Sequence, residues 1–239
     1  MLQAVAVMLM VWHHLFGFPE RISVPSVLVL DRFYSVETFL AYFGRICVAV
    51  FAFVSGYGMR KKMVGAKQSH GIIKNYGTVV ALFVFTEKIP GYRFLAVLIC
   101  FVLGMYFVDS PIFEWLEKCF CKAALLKILL GLLGIGVVFV LRFKGLPDYI
   151  LVAPFVFSVV LILKTKLVTK CLSPLLGFVG KYSTYVWLTH TFFGYYLFQK
   201  ITFAPKYSWL VFLWCMLLSL GTGMVLEKLR TLIGKGFKR

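Results

Sequence analysis

The chain has 239 residues, is 61% hydrophobic and has a mean hydropathy of +0.91. Soluble domains are only about half apolar, so this composition excludes a soluble globular protein. The net charge of +17 lies in short basic links between apolar blocks. There the bilayer's bias on Lys and Arg accounts for it, and nucleic acid is not an expected partner.

In chain order, the apolar blocks read as transmembrane helices, each needing about 20 residues. The first runs from Met1 to Phe18, and the second from Ala41 to Met59, ending in "GMRKKM". A short third segment covers Tyr76–Phe85. The remaining blocks are Phe94–Val108, Ala123–Leu141, Tyr149–Leu163, Lys181–Phe198 and Ser208–Leu226. The reading is an all-α, polytopic helical bundle, one transmembrane domain over residues 1–239 with about eight spans. With the N-terminus inside, fifteen Lys and Arg fall in the inner links and nine in the outer ones. Both termini are then cytoplasmic, in a multi-pass protein surrounded by cell-membrane lipid. No charged leader or small-residue cleavage site precedes the first block, so no cleavable signal peptide is expected. In the tail, Leu226, Leu229, Ile233 and Phe237 recur at helical spacing, which predicts an amphipathic helix on the inner surface.

The six cysteines are scattered and show neither a disulfide framework nor zinc spacing. They read as buried small hydrophobes, and no metal is expected.

Three polar features stand out against this apolar background. His13 and His14 lie near the far end of the first helix. At 1.5 Å per residue His14 sits about 20 Å from Met1, in the outer half of the membrane. An ionisable group at that depth is a functional hypothesis, the alternative being an interfacial imidazole reaching for headgroups. Neighbouring residues are 100° apart, so only one of the two can point fully into the bundle. Further on, Ser183, Trp187, His190 and Gly194 are spaced 4, 3 and 4 and share a helix face. Such a face serves either chemistry or helix–helix adhesion. The third feature is "FAFVSGYGMRKK", in which Ser55, Gly56 and Tyr57 close the second span and Arg60, Lys61 and Lys62 follow. That cluster either sets topology or receives a phosphate-bearing cytosolic donor.

Together these stretches resemble the membrane-bound acyltransferase 3 family. The opening is similar to its first helix, where an arginine is followed, after ten intervening residues, by a histidine. "VFAFVSGYGM" resembles its Phe-rich Ser-Gly-Tyr signature, and "VGKYSTYVWLTHTFF" its late Gly-Lys-x-Ser-x-x-x-Trp/Tyr-Leu-x-His helix. The matches cover about a quarter of the chain; residues 62–171 match only as generic membrane helix. The family spacing selects His14, because eleven residues earlier stands Gln3, which eleven steps of 100° bring onto the same face. Gln3 replaces the family's arginine and carries no charge to hold a phosphate or carboxylate. The family's usual chain is longer, so this one reads as a shortened member.

The resemblance implies transfer of an acetyl or similar acyl group from acyl-CoA (acetyl-CoA) to a hydroxyl of a cell-surface or exported carbohydrate. His14, His190 and Ser183 would be the catalytic residues. Gln3, His13, Ser55, Gly56, Tyr57, Arg60, Lys61, Lys62 and Trp187 would contact substrates. A hydroxyl is a poor nucleophile at neutral pH, and a histidine suits the task of accepting its proton. Two other readings stay open: a glycan or lipid-linked glycan transporter, and a non-catalytic relative, which Gln3 and the short length favour.

Overall fold

The protein is described from a computed structural model, which describes residues 1–24, 35–65, 92–112, 115 and 124–236. The third predicted segment (Tyr76–Phe85), Cys119, Cys121 and Phe237 lie outside the described residues, as do several basic link residues. All elements among the described residues are helical. They are α1 (Leu2–Phe16), α2 (Val36–Gly44), α3 (Cys47–Gly65), α4 (Tyr92–Asp109), α5 (Ala124–Phe143), α6 (Asp148–Leu163), α7 (Lys166–Lys181), α8 (Ser183–Thr191), α9 (Gln199–Thr202) and α10 (Ser208–Gly236). A 3₁₀ turn at Pro19–Arg21 and a π-helical turn at Phe192–Tyr196 complete them.

Among the described residues, three stretches are long and apolar enough to cross a membrane: Val36–Val64, Ala124–Phe143 and Ser208–Ile233. The pair α6 and α7, which turns by 106° between its halves, makes a fourth if it counts as one broken span. α1, at 15 residues, is shorter than a full crossing.

The described chain forms two compact units. The first comprises Met1, Gln3–Cys47 and Pro174–Arg239. α1 is buried on most of its circumference, through Ala4, Val7, Met10, Val11, Trp12, Leu15 and Phe16. A helix apolar all round is stable only when surrounded, and neighbours approach from several sides. α2 crosses so closely that a Cβ at Gly44 would stand 2.6 Å from the Leu9 carbonyl oxygen. From α10, Trp209 and Phe212 bring their rings to 4.6 and 5.3 Å from that of Trp12. The Trp12 indole N–H donates to the Glu37 carbonyl at 3.1 Å, which ties α1 to α2.

The second unit comprises Leu2 and Val48–Ser173. α3 and α4 cross at two reciprocal glycines. A Cβ at Gly56 would collide with the Phe101 carbonyl oxygen, and one at Gly104 with that of Phe53. Only glycine lets two helix backbones come this close, which is the small-residue logic of membrane helix pairs. At the end of this crossing Arg60 Nε donates to Asp109 Oδ2 at 2.8 Å, with the arginine side chain 1% exposed. α5 and α6 form a hairpin clamped by Arg142, whose Nε and Nη2 reach the two carboxylate oxygens of Asp148 at 2.8 and 3.3 Å.

Several hydroxyls in these apolar helices bond within their own helix, where lipid offers no partner. Ser158 donates to Pro154 O (2.7 Å), Thr189 to Tyr185 O (2.8 Å) and Thr222 to Leu218 O (2.9 Å). At the α6–α7 turn, Thr165 and Thr169 donate to the Ile162 and Leu163 carbonyls at 2.8 and 2.7 Å, closing the end of α6.

The structure revises three boundaries. Residues 164–180, read as an inner link, contain α7. Its amphipathic pattern buries Leu176 and Val179 and leaves Lys166 and Lys170 exposed, a period that a search for long apolar blocks passes over. The predicted span Lys181–Phe198 is not one regular helix: it is interrupted at Tyr182 and loosens into the π turn after Thr191. The tail is no separate helix as far as Gly236, because α10 runs unbroken for 29 residues, longer than a hydrocarbon core requires.

Candidate active site

The first unit gathers His13, His14 and His190. α1 brings His14 and α8 brings His190, 176 positions apart, into hydrogen-bond contact, Nδ1 to Nε2 at 2.7 Å. The rings lie nearly parallel, 4.9 Å between centroids and 21° between planes. His190 is buried and His14 half-buried.

Geometry decides which nitrogens carry protons. His190 Nδ1 lies 2.9 Å from the Val186 carbonyl oxygen, one turn back on α8. A carbonyl only accepts, so His190 Nδ1 is the protonated nitrogen. With both rings neutral, His190 Nε2 is then an acceptor, and His14 Nδ1 must donate to it. The lone pair of His14 Nε2 has no partner among the described residues. The chain of bonds runs from His14 through His190 to a backbone carbonyl, so the main chain of α8 sets the tautomer of both rings.

His13 does a different job. Its Nδ1 donates to the Ala41 carbonyl at 2.6 Å, so this ring holds α1 against α2. Its position depends on Gly17, where a Cβ would stand 2.5 Å from the His13 carbonyl oxygen and 2.9 Å from its Nδ1.

The π turn places Tyr195. Such turns insert an extra residue into a helical register and frequently mark functional sites. Here the turn follows His190 directly, and the Tyr195 hydroxyl donates to the His14 carbonyl oxygen. Phe18 stacks beside His14 at 6.2 Å, and Tyr195 meets it edge-on at 6.1 Å. Gln199 ties the segment after α1 to this turn. Its amide donates to the Arg21 and Gly194 carbonyls at 2.9 and 3.1 Å, and its oxygen accepts from the Ser23 N–H and hydroxyl at 2.9 and 2.5 Å.

The other sequence candidates are distributed differently. Ser183 is buried on the His190 face, but its hydroxyl donates to the Gly180 carbonyl at 2.9 Å, about 10 Å along the helix from His190. Trp187 is 54% exposed: at a 40° offset from Ser183 it stands at the edge of that face and turns outward. Gly194 is buried against Leu15. Gln3 is exposed in the first turn of α1.

Ser55, Gly56, Tyr57, Arg60, Lys61 and Lys62 belong to the second unit. Ser55 is exposed, and Gly56 is consumed by the crossing with α4. Tyr57 lines an apolar cavity of about 190 Å³ with Phe53, Val54, Val160 and Lys164. Arg60 is turned inward onto Asp109, whereas Lys61 and Lys62 are exposed. The three basic residues are therefore not one cluster: helical rotation of 100° per residue sends the first to the protein interior and the next two to the surface.

Sequence reasoning missed Glu37, Tyr195, Gln199 and Arg21. Glu37 is 1% exposed and accepts from the Ser208 hydroxyl at 2.6 Å. An acid in "SVETFLAYF" was a visible signal, because a carboxylate entering an apolar helix needs a reason. Tyr195 and Gln199 depend on the π turn and Arg21 on the 3₁₀ turn after α1, neither of which regular periodicity announces. Comparison of the chain with protein-family models, with curated proteins and with solved structures finds no match.

Proposed function

We propose that this protein is a membrane-embedded O-acyltransferase, moving an acetyl or similar acyl group from acyl-CoA to a hydroxyl of a cell-surface or exported carbohydrate. The observation that carries the reading is the His14–His190–Val186 relay, which leaves His14 Nε2 as a base with a defined direction. A base whose second nitrogen is oriented by a third group is the recurring arrangement for activating a hydroxyl.

In the reaction, the acceptor O–H gives its proton to His14 Nε2 while its oxygen attacks the thioester carbonyl carbon. The C–S bond then breaks, and CoA sulfur leaves with the proton returned from His14 Nε2. During the step His14 carries a positive charge, and its Nδ1–H bond to His190 supports that charge. The surrounding aromatic side chains keep out water, which would otherwise consume the acyl group. Lys61 and Lys62 would meet the CoA phosphates. Ser183 positions α8, and His13 positions α1.

The accompanying topology has eight spans with both termini cytoplasmic, as the distribution of Lys and Arg favours. Protease added outside sealed cells should then leave a C-terminal tag intact; digestion of the tag would overturn this orientation.

The direct test uses inverted membrane vesicles containing the full chain and radiolabelled acetyl-CoA supplied at the cytoplasmic face. Base-labile label should appear on carbohydrate, with one CoA thiol released per acetyl transferred. Glycan crossing the vesicle membrane with no thiol release would overturn transfer in favour of export.

A further inference from the structure

Resting on the acyl-transfer reading, we infer that Arg21, held on the rings of Phe18 and Tyr195 beside His14, is an acceptor-recognition residue that selects a carbohydrate bearing an oxyanion, a carboxylate or a phosphate. Its guanidinium carbon stands 4.5 Å from the Phe18 ring centroid and 5.6 Å from that of Tyr195. The same two rings contact the His14 imidazole at 6.2 and 6.1 Å. The cation and the base are thus one aromatic ring apart, on a shared platform within one unit.

Three features distinguish this arginine from an ordinary surface cation. Its backbone is fixed, because the 3₁₀ turn closes with Arg21 N–H donating to the Phe18 carbonyl at 3.0 Å, and Gln199 donates to the Arg21 carbonyl at 2.9 Å. Its guanidinium carbon lies over both rings, and among the described residues no hydrogen bond occupies its N–H groups. Among the described residues no carboxylate is paired with it; Glu20, its neighbour in the turn, is exposed to solvent. By contrast, the buried arginines Arg60 and Arg142 are each bonded to an aspartate.

A planar fork held over two rings is suited to two parallel hydrogen bonds to a carboxylate or phosphate. Phe18 and Tyr195 together offer the apolar faces on which a sugar ring can rest. An acceptor anchored by its anion at Arg21 would hold a hydroxyl of the same or the next residue toward His14 Nε2. The result is a specificity device that neither the acyl donor nor the histidine pair requires.

The experiment measures binding without turnover. The full chain is placed in nanodiscs of phosphatidylcholine, and saturation-transfer NMR gives the affinities of p-nitrophenyl β-glucoside, p-nitrophenyl β-glucuronide and the 6-phosphate of the glucoside. Both anionic probes should bind about tenfold more tightly than the neutral one at low salt, with the advantage shrinking as ionic strength rises. Arg21→Gln should bring the ratio close to one, and Arg21→Lys should keep only part of it, because an ammonium lacks the fork. Phe18→Leu, which removes the stacking ring but not the charge, should weaken the preference to an intermediate value.

Equal affinities in the parent protein, or a preference that survives Arg21→Gln, would overturn the inference. So would loss of the preference when phosphatidylglycerol is added to the nanodiscs, since the lipid headgroup would then be the ligand. Anion preference without any acetyl transfer would leave this site standing and remove the transferase reading. Transfer without preference would do the reverse.

Discussion

His14→Ala should lower acyl transfer by about 10²–10⁴-fold at equal protein level, the range expected when a positioned general base is removed. His190→Ala should fall in the same range although its ring need not touch the acceptor. Without His190 Nε2 to accept a bond, His14 Nδ1–H loses its partner, and the imidazole is free to turn or to carry its proton on Nε2 instead. The double variant should be no worse than His14→Ala alone, because two groups acting as one unit are strongly non-additive. His13→Ala should keep most of the transfer and lose on the order of 1 kcal/mol of stability with its bond to Ala41. Glycan-bound acetate and thermal unfolding in detergent separate these outcomes. Multiplying losses in the double variant, or a greater loss of transfer from His13→Ala than from His14→Ala, would reject the relay.

Breaking the Arg60–Asp109 pair should cost about 3 kcal/mol in either Arg60→Gln or Asp109→Asn. The value is at the low end for severed buried pairs because Asp109 is one-quarter exposed. Replacing both partners with apolar residues of similar volume, Arg60→Met with Asp109→Leu, should be close to neutral, since neither charge is then left buried alone. The same double variant separates structure from donor binding. It should insert normally and keep its KM for acyl-CoA, whereas Lys61→Gln with Lys62→Gln should raise that KM about tenfold through lost charge-assisted phosphate contacts. A raised KM in the Arg60 and Asp109 double variant with no change in the lysine variant would place donor recognition on the buried pair.

Much about this protein was legible in one dimension because it follows from local arithmetic. Apolar block length announces membrane-crossing helices, and the 100° step per residue shows that His13 and His14 cannot share a direction before any neighbour is known. The same arithmetic placed His190 and Ser183 on one face, and both are buried there. Gly56 stood out only within the Ser-Gly-Tyr stretch that carries the resemblance, and its purpose, the backbone crossing with Gly104, was not legible.

What periodicity could not supply was anything that depends on which helix meets which. The partner of Arg60 is an aspartate 49 positions away, and the partner of His14 a histidine 176 positions away; nothing local encodes either pairing. The proton positions on the two imidazoles follow only once Val186 O is known to accept from His190 Nδ1. Tyr195 reached the site through a π turn, where the register departs from 3.6 residues per turn and extrapolation of a helix face fails, and Arg21 through the 3₁₀ turn that follows α1. The sequence by itself thus determined that this chain is helical, apolar enough to cross a membrane, and equipped with imidazoles inside apolar helices, because hydropathy and helical rotation are properties of neighbouring residues. Only the tertiary structure decided that those imidazoles form one directed relay with an arginine at its edge, because hydrogen-bond direction and contact across helices exist only once distant segments are brought together.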